Sequence, residues 1–174
     1  MAQFSHLSVH SHYSLLNAIP QIDPLVETAV NFGMPAMALT DRNNLYGAIE
    51  FYKACTKKGI KPIIGVDMDV SVAGATGHII LLAENFAGYQ NLMKLVSHAN
   101  NVPNEPPLAR DEDFVQYGTG LIALIPDTAL LQPNAGALVE HLKRTLGAPS
   151  VYARLGWNGG REHALRTAGV ASAL

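Results

Sequence analysis

The chain has 174 residues, of which 48% are hydrophobic and 15% charged, and 12 basic against 14 acidic side chains give a net charge of −2. This composition excludes a disordered or fibrous protein and predicts one globular domain over residues 1–174. The sequence pI of about 6.4 argues against a domain that binds nucleic acid on its own. With no signal peptide and no apolar run near the roughly 20 residues that span a bilayer, we expect a cytoplasmic protein without membrane contact.

Short β-rich runs alternate with amphipathic helical runs in the first half of the chain. Apolar residues recur about every 3.6 residues in the helical runs and at every second residue in the β-rich runs, which distinguishes the two kinds of element. The elements, in order, are a strand at 4–10, a helix at 23–33 that ends at Gly33, a strand at 35–40, a helix at 45–59, and strands at 61–70 and 77–84. The last two strands are expected side by side, because only a short Gly/Ala-rich turn separates them.

The second half continues the alternation after a helix at 89–99. Residues 100–113, rich in Pro and Asn, are predicted as a surface loop. The remaining elements are a strand at 120–126, a helix at 136–147, a strand at 150–157 and a closing helix at 161–174. Such alternation favours parallel strands joined by helical crossovers. The chain stops on a helix, so either the sheet is open or a further strand is missing.

The single cysteine and the lysines of the second helix have structural interpretations. Because Cys55 is the single cysteine of the sequence, no internal disulfide can form, and a reducing compartment is favoured. It falls on a predicted apolar stripe, so we interpret it as a buried structural thiol; the stripe comprises Leu45, Ala48, Ile49 and Tyr52. A basic patch could face nucleic acid or be a solvated helix end favoured by the helix dipole; it comprises Lys53, Lys57, Lys58 and Lys61.

His10 and His12 are the first candidates for a functional site. Two histidines at this spacing on an extended backbone point the same way and could hold one ion at nitrogen–metal distances of roughly 2.0–2.1 Å. By itself such a pair is more often a chance arrangement on the surface or in the core. Further polar residues follow predicted strand ends, where functional groups gather in parallel α/β folds; these are Asp41, Arg42, Asp67, Asp69 and Asp127, while His78 opens a strand.

Several of these residues also have purely structural interpretations. Asp41 lies in a turn and is expected to accept a hydrogen bond from the backbone that follows it. Asp67 interrupts an apolar strand, so it is either buried with a partner or faces a cavity. His98 and His141 lie on predicted helices and are expected to be solvated.

Three stretches together resemble a known family. They are HLSVHSHYSLLNA (6–18), GMPAMALTDRNNLYGAIEFYKACTKKGIKPIIGVDMDV (33–70) and HIILLAENFAGYQNLMKLVS (78–97). They resemble the polymerase-and-histidinol-phosphatase (PHP) domain at the N-terminus of bacterial replicative DNA polymerase III alpha subunits. The similarity is continuous from about Phe4 to Ser97 and looser beyond.

The resemblance implies an α/β fold, a distorted (βα)7 TIM-like barrel with up to three divalent metal ions at one face. The family continues into a strand with an Asp-x-His ligand pair that this chain lacks. Residues 1–174 are therefore expected to be the N-terminal part of a longer alpha subunit, with the barrel incomplete at its C-terminal end. Complete sites in this family are associated with 3′–5′ exonuclease proofreading. Degenerate ones belong to domains that dock a separate proofreading exonuclease, and free-standing relatives are phosphoesterases.

Four residues match family ligand positions. His10 and His12 match the opening pair, Asp67 stands where a Glu is expected, and His78 matches a later histidine ligand. The Cys or His ligand that follows the fifth strand is absent, although Asp127 lies near its place.

Two family ligands are replaced. Asn17 stands in place of an Asp and removes a negative charge, and Arg42 stands in place of a His and adds a permanent positive charge. We therefore predict a degenerate site without catalytic residues or a resident cofactor, or at most a divalent Zn, Mn or Mg ion. Arg42 is predicted to stand in for the metal by donating hydrogen bonds to Asp67 or Asp41.

The resemblance thus predicts a scaffold in DNA replication within a DNA-directed DNA polymerase. Its expected partners are the proofreading exonuclease subunit and the remainder of the polymerase, with DNA reached through the holoenzyme. Two alternatives are an active metal-dependent 3′–5′ exonuclease and a stand-alone PHP phosphoesterase.

Overall fold

The computed structural model describes residues 4–155 and 168–169. The chain divides at Asp67 into two compact units, residues 1–67 and 68–174. The helices are α1 (Ile22–Asn31), α2 (Ala48–Lys58), α3 (Phe86–Ala99), α4 (Asp111–Tyr117), α5 (Asp127–Leu130) and α6 (Ala135–Leu146). The strands are β1 (Ala36–Leu39), β2 (Lys61–Val72), β3 (Ala75–Ala83), β4 (Ala109–Arg110), β5 (Leu121–Pro126) and β6 (Val151–Arg154). The predicted closing helix at 161–174 lies outside the described residues, apart from 168–169.

The first unit packs two helices against a pair of parallel strands. β1 pairs with the start of β2, with Ala36 opposite Lys61 and Leu39 opposite Ile64. The buried side chains of α1, α2 and both strands form one core; they are Ile22, Val26, Ala29, Met37, Leu39, Phe51, Cys55 and Ile60. This core positions the end of β1 and the first half of β2, next to which the candidate site is built.

The buried face of helix α2 overlaps the predicted stripe but is rotated toward Phe51. Ala48, Phe51 and Cys55 are buried, whereas Ile49 and Tyr52 are 58% and 55% exposed. The segment has apolar residues on two faces, and packing against α1 selects the one that contains Phe51. The burial of Cys55 is confirmed, and desolvation raises the pKa of its thiol to about 11, so the thiol is inert at neutral pH.

Two predicted boundaries in the first unit were wrong. Residues 4–10 do not form a strand; this segment runs beside β1, and the backbone N–H groups of Ala38 and Thr40 donate to the carbonyls of His6 and Val9, both at 2.8 Å. Helix α1 begins at Ile22, one residue before Asp23, because the backbone of the preceding residue is still extended. Asp23 lies in the first turn, where its charge interacts favourably with the helix dipole.

The second unit contains a mixed sheet, which corrects the prediction of parallel strands throughout. β2 and β3 are neighbours, as predicted, joined by a tight turn in which Ala73 (φ 52°) and Gly74 (φ 77°) both have left-handed backbones. β3 pairs antiparallel with β5, and β5 pairs parallel with β6. The turn after β2 is too short for a helical crossover, which explains the change of direction.

The predicted loop at 100–113 contains a short strand and the start of a helix. β4 pairs parallel with β2, and α4 begins at Asp111. Asp113 accepts a hydrogen bond from the backbone N–H of Arg110 at 2.8 Å, and this cap stabilises the start of α4. The Pro-rich composition concealed both elements. The core of this unit includes Ile79, Ile80, Leu81, Leu92, Leu95, Phe114, Leu121, Ile125 and Leu138.

Candidate functional site

The segment that carries His10 and His12 is attached to the end of β1. The backbone N–H of Thr40 donates to the carbonyl of Val9, and the Val9 N–H donates to the Thr40 hydroxyl at 3.1 Å. This two-way contact places His10 next to the turn that follows β1, which contains Asp41 and Arg42. The sequence correctly predicted that these residues meet, because each follows a segment that ends at the same edge of the first unit.

Asp41 is the centre of a buried hydrogen-bond network. Its carboxylate, 1% exposed, accepts the backbone N–H of Ser11 at 2.6 Å, the Ser11 hydroxyl at 2.8 Å and the Ser14 hydroxyl at 2.6 Å. The Ser14 oxygen in turn accepts the backbone N–H of Arg42 at 3.0 Å. The prediction of a bond to the following backbone was therefore wrong, because these donors come from residues about 30 positions earlier.

Asp67 joins His10 and Arg42. Its Oδ2 lies 3.2 Å from Nε2 of His10, and its Oδ1 accepts a hydrogen bond from Nη1 of Arg42 at 3.2 Å. Backbone hydrogen bonds hold the same strand position, because the Asp67 N–H donates to the carbonyl of Asp41 and the Asn43 N–H donates to the carbonyl of Asp67. Asp67 is buried with partners, and the hydrogen bond expected from Arg42 is made to it.

His12 occupies a different environment from His10. Its backbone N–H donates to Pro20, and its ring lies against Tyr13 with centroids 4.2 Å apart. The hydrogen bond from the Tyr13 hydroxyl to Glu50 raises the pKa of Tyr13 above its usual value. Within the described part of the chain, Nδ1 of His12 is a buried atom without a hydrogen-bond partner, whereas Nε2 of His10 contacts Oδ2 of Asp67 at 3.2 Å without the geometry of a hydrogen bond.

Asn17 belongs to an ordered loop with an apolar tip. Its Nδ2 donates to the carbonyl of Leu15 at 3.0 Å, and the backbone N–H groups of Asn17 and Ala18 both donate to the carbonyl of Ser14. Leu16 has a left-handed backbone with φ 64°. The side chains at the tip are strongly exposed; they are Leu15, Leu16 and Ile19.

The remaining predicted ligands lie in the second unit. His78 is half-buried within β3 and does not open the strand as predicted. Asp127 begins α5, and its Oδ1 accepts the backbone N–H of Thr128.

Histidines on helices of the second unit contact carboxylates of α4. Nδ1 of His98 lies 2.5 Å from buried Asp113, and Nδ1 of His141 lies 3.2 Å from Asp111. His141 is itself buried, so its predicted solvation was wrong. These contacts were not predicted, because the acidic partners lie in a segment that was predicted as a loop.

The residues of the first unit do not fit a multi-metal centre. Within residues 4–67, no group of three or more His, Cys, Asp and Glu side chains surrounds a common point. Such a centre needs anionic ligands to offset the charge of its ions, but the one carboxylate beside His10 already contacts a guanidinium.

A model of the PHP domain family matches residues 6–158. The chain belongs to the PHP domain family. The expected resemblance to the PHP domain of the DNA polymerase III alpha subunit is confirmed by curated relatives of that name. This PHP domain is 40% identical to the alpha subunit of Chlamydia pneumoniae over 148 residues, 74% of this chain and 12% of that protein. It is 41% identical to the subunit of Treponema pallidum over 81% of this chain and 14% of that protein. It is 39% identical to the subunit of Escherichia coli over 70% of this chain and 11% of that protein.

The PHP domain thus spans about an eighth of the length of the relatives that it matches.

Solved structures share its fold. A protein of Bifidobacterium adolescentis assigned to the metal-dependent phosphoesterases superposes with a TM-score of 0.67 at 11% identity, over 99% of this chain and 84% of that one. An amidohydrolase of Chromobacterium violaceum superposes with a TM-score of 0.62 at 16% identity, over 97% of this chain and 83% of that one. Among the described residues, none of the helices has the length and apolar character needed to cross a membrane.

Substituting Arg42 tests the contact with Asp67. We expect Arg42→Ala to lower the free energy of unfolding by about 1–3 kcal/mol, because it removes the cation beside a buried carboxylate. Lys58→Ala is the matched control, since it breaks an exposed pair with Glu27 at 3.2 Å and should cost at most about 1 kcal/mol. Urea unfolding measures both. Equal losses for the two variants would contradict a special role for Arg42.

Proposed function

We propose that this PHP domain is part of a DNA polymerase III alpha subunit in DNA replication and that its metal site is degenerate. The similarity to alpha subunits over 70–81% of the chain supports the first part. The second part rests on one observation, the contact of Arg42 with Asp67 beside His10. In this proposal the domain itself is a scaffold and the nucleotidyltransferase activity belongs to other parts of the subunit.

The electrostatics of Asp67 favour a site without metal. Its negative charge is offset by Arg42, so the buried carboxylate needs no ion for charge balance. At an effective dielectric constant of about 20, a guanidinium roughly 4 Å from a divalent ion would repel it by several kcal/mol. Asn17 adds no negative charge to compensate, and its side chain is bonded to its own loop. Together these terms favour replacement of the ion by Arg42.

The proposed architecture is the distorted (βα)7 barrel of the family, and the likeness to PHP-type structures at TM-scores of 0.53–0.67 supports it. The proposed partners are the proofreading exonuclease subunit, for which the domain is a docking platform, and the remainder of the polymerase. DNA is reached through this assembly, in the cytoplasm.

A second candidate function is an active metal-dependent 3′–5′ exonuclease. The buried Nδ1 of His12 favours it, because a buried ring nitrogen without a hydrogen-bond partner is a potential ligand atom. A stand-alone phosphoesterase is less well supported, since relatives that share 40–41% identity with this chain are alpha subunits.

Metal analysis of the purified chain tests the degenerate site. We expect less than stoichiometric Zn, Mn or Fe by mass spectrometry, and no nuclease activity with added Mn²⁺ or Zn²⁺. The double variant Asn17→Asp/Arg42→His should bind metal more tightly, because it restores both replaced ligand types. Arg42→Lys is the matched control, since it keeps the positive charge and should leave metal binding unchanged.

Stoichiometric metal in the unaltered chain, with nuclease activity that a chelator abolishes, would replace the scaffold proposal with the exonuclease. Co-purification of the chain with a separately expressed proofreading subunit tests docking independently of the metal.

A further inference from the structure

The outward side of α2 and the turn before it form a surface that the candidate site does not use. We call it the α2 stripe and define it by Tyr46, Ile49, Tyr52, Lys53 and Lys57. Residues 52–61 contain four lysines and no acidic residue, although the whole chain has a net charge of −2. The stripe therefore carries a local positive charge on a weakly acidic protein.

The lysines of the stripe are available to a ligand. Lys53 and Lys57 are exposed and lie four residues apart, which places them on the same side of the helix about one turn from each other. Among the described residues, neither has a carboxylate within 4 Å, whereas neighbouring Lys58 contacts Glu27 at 3.2 Å. The helix dipole favours cations in the last turn, where Lys57 and Lys58 lie, but it does not account for Lys53.

The aromatic residues of the stripe are equally exposed. Tyr46 is 75% and Tyr52 is 55% exposed, and in the described part of the chain neither ring contacts another aromatic ring. The backbone of Tyr46 is fixed by Asn44, whose Oδ1 accepts its N–H at 3.1 Å. Nδ2 of Asn44 donates to the carbonyls of Tyr13 and Arg42. The stripe therefore begins beside the candidate site.

We propose that the α2 stripe binds single-stranded nucleic acid. Lysines contact the phosphates and exposed tyrosine rings stack on bases, which is the combination that non-specific single-strand binding uses. An acidic peptide would pair with the lysines but would leave the faces of both tyrosines in water. A single strand engages both kinds of side chain, because every base presents a flat face next to a charged phosphate.

Fluorescence anisotropy of labelled oligothymidylate with the full 174-residue chain tests this proposal. We expect salt-dependent binding with a Kd of roughly 10⁻⁴–10⁻⁶ M. Lys53→Ala/Lys57→Ala should weaken binding and reduce the slope of log K against log salt by about 0.7 per lysine. Tyr52→Ala should weaken binding by about tenfold, and Tyr52→Phe should restore it because the ring still stacks.

The control Lys94→Ala/Lys143→Ala makes the same change in net charge on α3 and α6 and should leave affinity and slope unchanged. Thermal melts of all variants establish that each is folded. Three results would overturn the proposal: no anisotropy change at millimolar protein, equal effects of both lysine pairs, or equal competition by an acidic peptide. The last of these would assign the stripe to an acidic protein.

Discussion

Asp41→Ala is expected to lower the free energy of unfolding by about 3–5 kcal/mol. The substitution removes the acceptor of three short hydrogen bonds from Ser11 and Ser14, both fully buried. Their donors would stay buried without partners, which costs more than the bonds themselves contribute. The loop that holds His10 and His12 would lose its attachment to the end of β1.

Urea unfolding with two comparison variants separates the causes of this effect. Asp23→Ala removes an exposed carboxylate from the first turn of α1 and should cost less than about 1 kcal/mol. Asp41→Asn keeps the shape of the side chain but replaces an acceptor oxygen with a donor. It should therefore lower the free energy of unfolding by most of the amount expected for Asp41→Ala. In the alanine variant, hydrogen exchange should quicken at the amides of Asn17 and Ala18. A loss within 1 kcal/mol of that of Asp23→Ala would show that the network contributes little.

Gly88→Ala is expected to destabilise the second unit by about 3 kcal/mol or more, at the upper end of overpacking effects. An added Cβ would lie 1.9 Å from the carbonyl oxygen of Gly120, so one backbone segment must move away from the other. The first turn of α3 cannot shift freely, because the Gly88 N–H donates to the capping side chain of Asn85 at 2.9 Å. Gly120, with φ +76°, cannot relax toward an ordinary conformation either.

Gly77→Ala is the matched control for the substitution at Gly88. Its added Cβ would lie 3.5 Å from Nε2 of Gln132, an ordinary contact with a flexible side chain. Replacing Gly within a strand should leave stability unchanged or raise it by up to about 1 kcal/mol. Thermal and urea unfolding of both variants measure the difference. Similar stability of the two would mean that α3 and the start of β5 can separate at little cost.

Local patterns in the sequence predicted most helices and strands but not the phase of α2 or the direction of β3. Apolar residues occur on two faces of α2, and only the packing of Phe51 against the core decides which one is buried. The direction of β3 depends on the two-residue turn at Ala73 and Gly74. The two-residue period of a strand contains no information on its direction, and parallel strands were predicted from the alternation of strands with helices.

The candidate site was predicted only where family motifs mark it. His10, Arg42 and Asp67 were predicted to lie together, and they do. The roles of Ser11 and Ser14 were missed, since a serine has no distinctive pattern and its partner, Asp41, is 27–30 residues away. Long-range hydrogen bonds of this kind follow from the tertiary fold, and a single sequence does not reveal them.

The sequence separation of the bonds to Asp41 also bears on the order of folding. The turn between β2 and β3 closes over two residues, and hairpins of this kind form in about 1–10 μs. The contacts of Asp41 close a segment of about 30 residues, which must include α1 and β1, and this requires a larger loss of chain entropy. We therefore expect substitutions at Asp41 to act chiefly on the unfolding rate, since the histidine loop docks after the surrounding elements have formed.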